Sequence, residues 1–159
     1  MTQPDGDTLL LTIVSGGQTG ADRAALDWAI AHRLKHGGWC PAGRLAEDGL
    51  IPDRYQLRET PSAAYPERTR LNVEDSDATL IISPRPLEGG TLLTVKHAEE
   101  VEKPMLIVTS ENEEDAPGFL RTFIQEHEVS ILNVAGPRAS GSAEVEAMVT
   151  RLFDRAYGF

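Results

Sequence analysis

Short β-rich runs alternate along this chain with longer amphipathic segments, and this order constrains the fold more than any other feature of the sequence. Parallel strands need helical crossovers between them, so the alternation is typical of an α/β domain with a mostly parallel sheet. Several runs are apolar on consecutive residues, as strands are when helices cover both faces of the sheet. We therefore predict an open α/β sheet of mostly parallel strands with helices on both faces. The predicted strands are Leu9–Val14, Trp39–Cys40, Gln56–Glu59, Ala78–Ser83, Met105–Thr109 and Ser130–Val134.

Two amphipathic segments predict helices with particular clarity. Apolar residues recur with helical spacing from Ala21 to Leu34, which predicts a first helix that follows the first strand. Lys35 and His36 would lie in its last turn, where cations suit the negative end of the helix dipole, and Gly37-Gly38 would form a left-handed stop. A similar apolar face predicts a last helix over Ala143–Tyr157.

The length of 159 residues, with 40% hydrophobic and 25% charged residues, predicts a single soluble domain over 1–159. The longest apolar runs are strand-sized, whereas a bilayer crossing needs roughly 20 residues, so we expect no membrane span. The N-terminal sequence MTQPDGD has neither a basic region nor an extended apolar stretch, and residues 1–7 are expected to be flexible. Cys40 is the single cysteine and cannot form an internal disulfide, which favours the cytoplasm.

The charge balance limits the kind of partner. The chain has 15 basic and 25 acidic residues, a net charge of −10, so a broad basic face for nucleic acid is not expected. An anionic ligand would have to be bound by a local device, such as backbone N–H groups, a helix N-terminus or a few arginines.

The most informative segment is Ser15–Arg23, in which the first strand runs into a glycine-rich turn and then a helix. Glycines let the backbone approach a ligand closely, and a helix start presents unpaired N–H groups, so this layout is typical of an anion site. It is not a Walker motif, because no Lys-Ser/Thr pair follows at the required spacing. The simpler interpretation is a tight strand-to-helix connection in which Thr19 and Asp22 form a capping box.

Two later strands are followed by turns of the same kind, Ser83–Thr91 and Asn133–Gly141. Because parallel strands place their carboxyl ends on one edge of the sheet, we expect the three turns to converge. Arg85 and Arg138 in these turns have forked donors that suit a phosphate.

Other residues are weaker candidates. Cys40 is more typical of an inert buried thiol than of a metal ligand, and His32 and His36 lack a third ligand. Arg68 and its neighbours are interpreted either as a polar helix face or as residues that reach toward the strand ends. No nucleophile and base are paired in the sequence, so we predict no catalytic residue and no metal ligand.

Taken together, the motifs resemble the molybdenum carrier, or molybdenum-cofactor carrier, proteins over about residues 10–155. The residues that carry this resemblance are Ser15–Asp27, Trp39–Pro41, Arg68-Thr69, Asn72-Val73, Ser76–Ile81, Gly89–Thr91 and Asn133–Ser140. The resemblance implies a Rossmann-like fold that is often oligomeric and is related to lysine-decarboxylase-like and lonely-guy phosphoribohydrolase proteins.

The resemblance also implies storage or protected delivery of the molybdenum cofactor, a phosphorylated pterin dithiolene, or otherwise the binding of another phosphorylated ligand. Its partners would be this small anionic ligand, further copies of the chain, and molybdoenzymes as recipients of the cofactor. The residues implied to bind the ligand are Gly16, Gly17, Gln18, Thr19, Gly20, Ser83, Gly89, Gly90, Thr91, Gly136, Pro137 and Arg138.

A second hypothesis is an enzyme that acts on a nucleotide or phosphoribosyl compound. The phosphoribohydrolase relatives carry a glutamate in the signature P-G-G-x-G-T-x-x-E, but here Thr94 stands in its place. A threonine cannot serve as a carboxylate acid or base at neutral pH. Under this hypothesis Asp22, Glu88 or Asp77 would have to supply the carboxylate. A third hypothesis is a pocket for some other phosphorylated metabolite, or an interaction surface, which fold alone does not distinguish.

Overall fold

A computed structural model describes residues 9–158, so the predicted flexible segment 1–7 lies outside the described residues. Strands and helices alternate along these residues as the sequence predicts. In chain order the elements are β1 (Thr12–Val14), α1 (Ala21–Ala31), β2 (His36–Gly37), β3 (Trp39–Cys40), β4 (Leu45–Ala46), β5 (Gly49–Leu50), β6 (Arg58–Glu59), α2 (Tyr65–Glu74), β7 (Ala78–Ser83), α3 (Gly89–Glu100), β8 (Met105–Thr109), α4 (Ala116–Glu126), β9 (Ile131–Ala135) and α5 (Val145–Tyr157).

The central sheet has five strands in the order β2-β1-β9-β7-β8, and each neighbouring pair is parallel. All six residues of β7 are buried, because helices and neighbouring strands cover this strand from every side. Two small sheets lie outside it, a parallel pair of β3 with β6 and an antiparallel hairpin of β4 with β5. The predicted α/β fold with a mostly parallel sheet and helices around it is confirmed.

The main core joins α1, α4 and α5 to one side of the sheet. Trp28 of α1 stacks on Phe153 of α5 with ring centroids 4.9 Å apart, which binds these two helices together. Helices α2 and α3 pack against each other outside this cluster. Within residues 9–158, no helix has the length and apolar composition needed to cross a membrane.

The end of the first helix differs from the prediction. Helix α1 ends at Ala31, and Arg33 rather than a glycine takes the left-handed conformation, with φ 58°. His36 and Gly37 form β2, and Gly38 has φ 126° with its α-carbon packed against the Ser15 carbonyl. The local pattern was misleading because this edge strand depends on hydrogen bonds to β1, a partner distant in the sequence.

Other boundaries move by a few residues. The first strand begins at Thr12 rather than Leu9, the strand near Gln56 is confined to Arg58–Glu59, and the last helix begins at Val145 rather than Ala143. Shifts of this size are common at element ends, where hydrogen bonding and not hydrophobic spacing sets the limit.

Candidate functional site

Three glycine-bearing turns meet at one edge of the central sheet. Strands β1, β9 and β7 are adjacent and parallel, so the turns that follow them emerge side by side. Between them lies a cavity of about 280 Å³, here called the loop cavity. Its lining comes from these turns and from α1, α2 and α3. It comprises Gly16, Gln18, Asp22, Arg68, Thr69, Asn72, Ser83, Arg85, Pro86, Glu88, Gly89, Gly90, Thr91, Thr94, Asn133, Val134, Ala135, Gly136, Pro137, Arg138 and Gly141.

Most of the predicted ligand-binding residues line the loop cavity. Those that line it are Gly16, Gln18, Ser83, Gly89, Gly90, Thr91, Gly136, Pro137 and Arg138. Gly17, Thr19 and Gly20 are not part of its lining. Arg85 also lines it, and so does Arg68, one of the weaker candidates.

The turn before α1, here the α1 start (15–20), uses several of its backbone N–H groups within the protein. The Gln18 amide donates to Oδ2 of Asp22 (3.2 Å), and the Thr19 amide donates to Oε1 of Gln18 (3.1 Å). The amide of Ala21 donates to the Pro137 carbonyl at 3.2 Å. The amides of Gln18, Thr19 and Ala21 are therefore already paired and are not presented to a ligand.

Two glycines of the α1 start are required by close packing. Gly20 has φ 85°, and a Cβ at this position would lie 2.4 Å from the Pro137 carbonyl oxygen. Gly17 has φ 77°, and a Cβ there would lie 2.6 Å from Cδ1 of Leu57. A side chain at either site would strain the backbone. At Gly20 it would also clash with backbone atoms that cannot move aside, whereas at Gly17 it would meet the movable ends of Leu57 and Ile51.

Glu47, in the hairpin of β4 and β5, links the α1 start to the turn after β9 by hydrogen bonds. The Glu47 carboxylate accepts hydrogen bonds from the Thr19 hydroxyl and from the Ser140 hydroxyl and amide, the last at 3.1 Å. The hydrogen bonds from Ser140 and Thr19 hold the pKa of Glu47 below its ordinary value. Sequence reasoning missed Glu47, because no motif links a hairpin residue to two distant turns.

A buried carboxyl and an arginine face each other at the floor of the loop cavity. Asp22 is 8% exposed, and Nη1 of Arg68 lies 3.7 Å from its Oδ2. Burial raises the pKa of Asp22, while the Arg68 charge and the Gln18 amide oppose that rise. Arg68 also donates to the Gly16 carbonyl (2.8 Å) and stacks over Tyr65, which fixes its guanidinium.

The first turn of α3, here the α3 start (88–91), is open. No side chain caps this helix, and within residues 9–158 the amides of Gly89 and Gly90 donate to no hydrogen bond. A Cβ placed on either glycine would meet no atom within 4 Å. Arg85, on the same rim, forms no ion pair within the described part of the chain, and Arg138 lies 4.0 Å from Glu47.

Of the three carboxylates considered for catalysis, two line the loop cavity and one lies away from it. Asp22 and Glu88 line the loop cavity, whereas Asp77 lies at the amino end of β7 and accepts the amides of Ser130 and Ile131 at 2.9 and 2.8 Å. Thr94 lines the cavity, and its hydroxyl donates to the Gly90 carbonyl at 3.0 Å. Asp77 is therefore not available to a ligand in the cavity.

The remaining candidates lie away from the cavity. Cys40 packs with Leu26, Ile51 and Tyr55, and burial raises the pKa of its thiol. The ring of His36 lies 3.2 Å from the Gln56 amide. No group of three or more metal-ligating side chains occurs among residues 9–158.

Comparison with known proteins adds a family and a solved structure. The model of the circularly permuted YpsA SLOG family matches residues 13–157. No curated protein matches the chain. The 1.45 Å crystal structure of a protein from Syntrophus aciditrophicus SB, named "Putative molybdenum carrier protein", is similar with a TM-score of 0.90 and 47% sequence identity. The similarity covers 92% of this chain and 94% of that chain.

Proposed function

The chain belongs to the circularly permuted YpsA SLOG family, and on that premise we propose that it carries a phosphorylated pterin, the molybdenum cofactor, in the loop cavity. The similar Syntrophus protein is named as a molybdenum carrier, which supports a carrier or binding role. We further propose that the carrier works as a homo-oligomer in the cytoplasm and delivers its cargo to molybdoenzymes.

The observation that carries this proposal is the open α3 start beside two arginines. Unpaired amides at a helix N-terminus and the positive end of the helix dipole bind phosphate well. Arg85 and Arg138 add charged forked donors on the same rim. In a chain with a net charge of −10, this local concentration of donors is what makes an anion site.

The size and lining of the cavity also suit such a cargo. Its volume of about 280 Å³ is just below the usual range of ligand pockets, roughly 300–1,000 Å³. The rim is open to solvent at Arg85, Glu88, Gly89 and Gly90, so a larger ligand can extend outward. A phosphate at the rim therefore leaves the floor of the cavity for the ring.

Hydrolysis of a nucleotide is not part of the proposal. Thr94 occupies the position of the glutamate of the phosphoribohydrolase signature, and Asp77 lies at the opposite end of β7. Asp22 accepts the Gln18 amide and faces Arg68, an arrangement that suits a fixed binding role better than proton transfer.

The proposal is tested by native mass spectrometry of protein purified gently from a host that makes the cofactor. We expect a bound mass that matches the phosphorylated pterin, together with molybdenum and a fluorescent pterin after oxidation. Protein from a host that lacks pterin synthesis is the control and should carry no such mass. A nucleotide in place of the pterin, or an empty protein from the producing host, would contradict the proposal. The same spectra give the number of chains in the assembly.

A further inference from the structure

The two ends of the loop cavity differ in chemistry. The rim has exposed arginines and the open α3 start, which suit a phosphate. The floor instead has buried polar side chains, with Asp22, Gln18 and Asn133 each less than a tenth exposed. A carboxylate at the floor repels a phosphate, because both groups are negatively charged. The floor is therefore suited to the ring of the ligand and not to its phosphate.

Asp22 is the charged acceptor of the floor. It accepts the Gln18 amide at 3.2 Å, whereas Arg68 at 3.7 Å gives charge balance without a hydrogen bond. The Gly16 amide and the Ser15 hydroxyl also lie near Asp22, but the Ser15 hydroxyl donates to the Val134 carbonyl at 2.8 Å. A carboxylate has about four lone-pair sites, so acceptor capacity remains at Asp22, which lines the cavity. Burying such a group is costly, and clefts that contain one are enriched in binding sites.

Gln18 independently indicates that the floor is built for a ligand. It is 5% exposed, and its Nε2 has no hydrogen-bond partner within the described residues. Its Oε1 accepts the Thr19 and Glu47 amides at 3.1 and 2.9 Å, so the side-chain amide cannot be turned to satisfy Nε2. A buried donor without an acceptor is unfavourable unless a water or a ligand supplies one.

We propose that Asp22 accepts hydrogen bonds from adjacent N–H groups of a ligand ring, with Gln18 as the neighbouring donor, so that the cargo has a 2-amino-4-oxopyrimidine edge. Pterins and guanine share this edge, in which two neighbouring N–H groups match a carboxylate and the adjacent carbonyl matches an amide donor. This inference rests on the proposed function and specifies the ring that the carrier selects. Asp22 is then a specificity-determining residue, while the arginines and the α3 start hold the phosphate.

A ligand ring that lacks the 2-amino group should bind much more weakly at Asp22. If the ring has oxygen in place of the 2-amino group, that oxygen faces the buried Asp22 carboxylate. Both groups are hydrogen-bond acceptors, so neither is paired. Glu88, the other carboxylate of the cavity, is exposed at the rim and can remain hydrated. The discrimination is therefore expected to depend on Asp22 and not on Glu88.

The test compares ligands that differ only in the 2-amino group. Neopterin monophosphate is paired with its lumazine analogue, which has oxygen at that position, and GMP is paired with IMP, which has hydrogen there. Binding of each to the full chain is measured by calorimetry, with ribose 5-phosphate as a ring-free anion. Two variants are used, Asp22→Asn and, as a matched control on the same helix outside the cavity lining, Asp27→Asn.

We expect the unmodified protein to bind one 2-amino compound about tenfold or more tightly than its partner, as unpaired buried polar groups predict. Asp22→Asn should abolish or reverse that preference and leave ribose 5-phosphate binding unchanged, and Asp27→Asn should keep the preference. A preference for neopterin monophosphate over its lumazine analogue identifies a pterin cargo. A preference for GMP over IMP alone supports recognition of the 2-amino-4-oxopyrimidine edge but contradicts a pterin as the cargo.

Equal binding of both members of each pair would overturn the inference and leave the phosphate carrier standing. A preference that survives in Asp22→Asn would also overturn it, because the selection would then come from another group. Binding of none of the phosphorylated compounds would overturn the proposed function and the inference with it. The comparison of ligands on the unmodified protein remains decisive if Asp22→Asn does not fold.

Discussion

The α1 start contains Gly16-Gly17-Gln18-Thr19 and the α3 start contains Gly89-Gly90-Thr91, yet the structure encloses the first and leaves the second open. In the α1 start the amides of Gln18 and Thr19 donate to side chains of the protein, and Gly17 and Gly20 lie close against other loops. In the α3 start the amides of both glycines donate to no group within residues 9–158, and both glycines border open space. A glycine-rich helix start thus lets either the protein or a ligand come close, and only its neighbours decide which.

The neighbours explain the difference. The start of α1 is enclosed by the turn after β9, whose Pro137 carbonyl accepts the Ala21 amide, and by the hairpin that contains Glu47. Helix α3 follows β7, whose turn is exposed at Arg85 and Pro86. The enclosed start supplies a rigid wall and floor, and the open start supplies the free donors.

The largest effect is expected at the enclosed start. Gly20→Ala would combine a positive φ with a contact of 2.4 Å to the Pro137 carbonyl oxygen. Strain of roughly 1–3 kcal/mol and overpacking of a similar size should lower the free energy of unfolding by about 2–5 kcal/mol, measured by urea denaturation. Gly43→Ala is the control, because Gly43 has φ 87° but no atom near its Cβ position. Equal losses in the two variants would refute the role assigned to packing.

At the open start the same kind of substitution should affect the ligand and not the fold. Gly90→Ala adds a methyl group to the cavity surface and meets no protein atom. The free energy of unfolding should stay constant or rise by up to about 1 kcal/mol, because alanine favours helix. Affinity for neopterin monophosphate should fall about tenfold, because the added methyl group keeps the phosphate from approaching the backbone closely.

Gly118→Ala, in the first turn of α4, is the control and should leave the affinity for neopterin monophosphate unchanged. Unaltered binding in Gly90→Ala would place the phosphate elsewhere.

A smaller effect is expected from one rim arginine. Arg85→Ala removes a guanidinium that has no ion-pair partner within residues 9–158, so stability should change by less than about 0.5 kcal/mol. Affinity for the phosphorylated ligand should fall several-fold, and its dependence on salt should become shallower, because a charge contact is lost. Arg70→Ala removes an exposed arginine that is paired with Glu74. This control should change neither the affinity for the ligand nor its dependence on salt. A salt dependence equal to that of the unmodified protein would exclude Arg85 from the phosphate site.

The smallest effect concerns the Glu47 contact that encloses the α1 start. Its hydrogen bonds lower the pKa of Glu47, so its contribution to stability is present above the ordinary glutamate pKa and disappears as pH falls through the lowered value. Glu47→Gln should therefore be slightly less stable than the unmodified protein at pH 7 and equally stable in strong acid. Urea denaturation at several pH values measures this gap. A gap that stays constant or widens on acidification would show that the Glu47 charge does not hold the hairpin.

Sequence reasoning predicted the parts of the site that depend on strand order. Ser83, Gly136 and Gly16 were expected to converge because parallel strands share one edge, and all three line the loop cavity. For Arg68 it left two interpretations open, and the structure shows the one in which the side chain reaches from α2 to Gly16 at the strand ends. It missed Glu47, which reaches Thr19 and Ser140 from a hairpin through contacts that no local spacing records.

By itself the sequence determined the α/β order, the buried β7 and the helical faces, because hydrophobic periodicity is a local property that each segment expresses wherever it packs. It also determined that glycine-rich turns follow three of the central strands. Only the tertiary structure decided where α1 ends, which glycine-rich start remains open, and that Asp22 lies at the floor of a cavity. These outcomes depend on hydrogen bonds and steric contacts between segments far apart in the chain, and such contacts exist only once the segments have packed together.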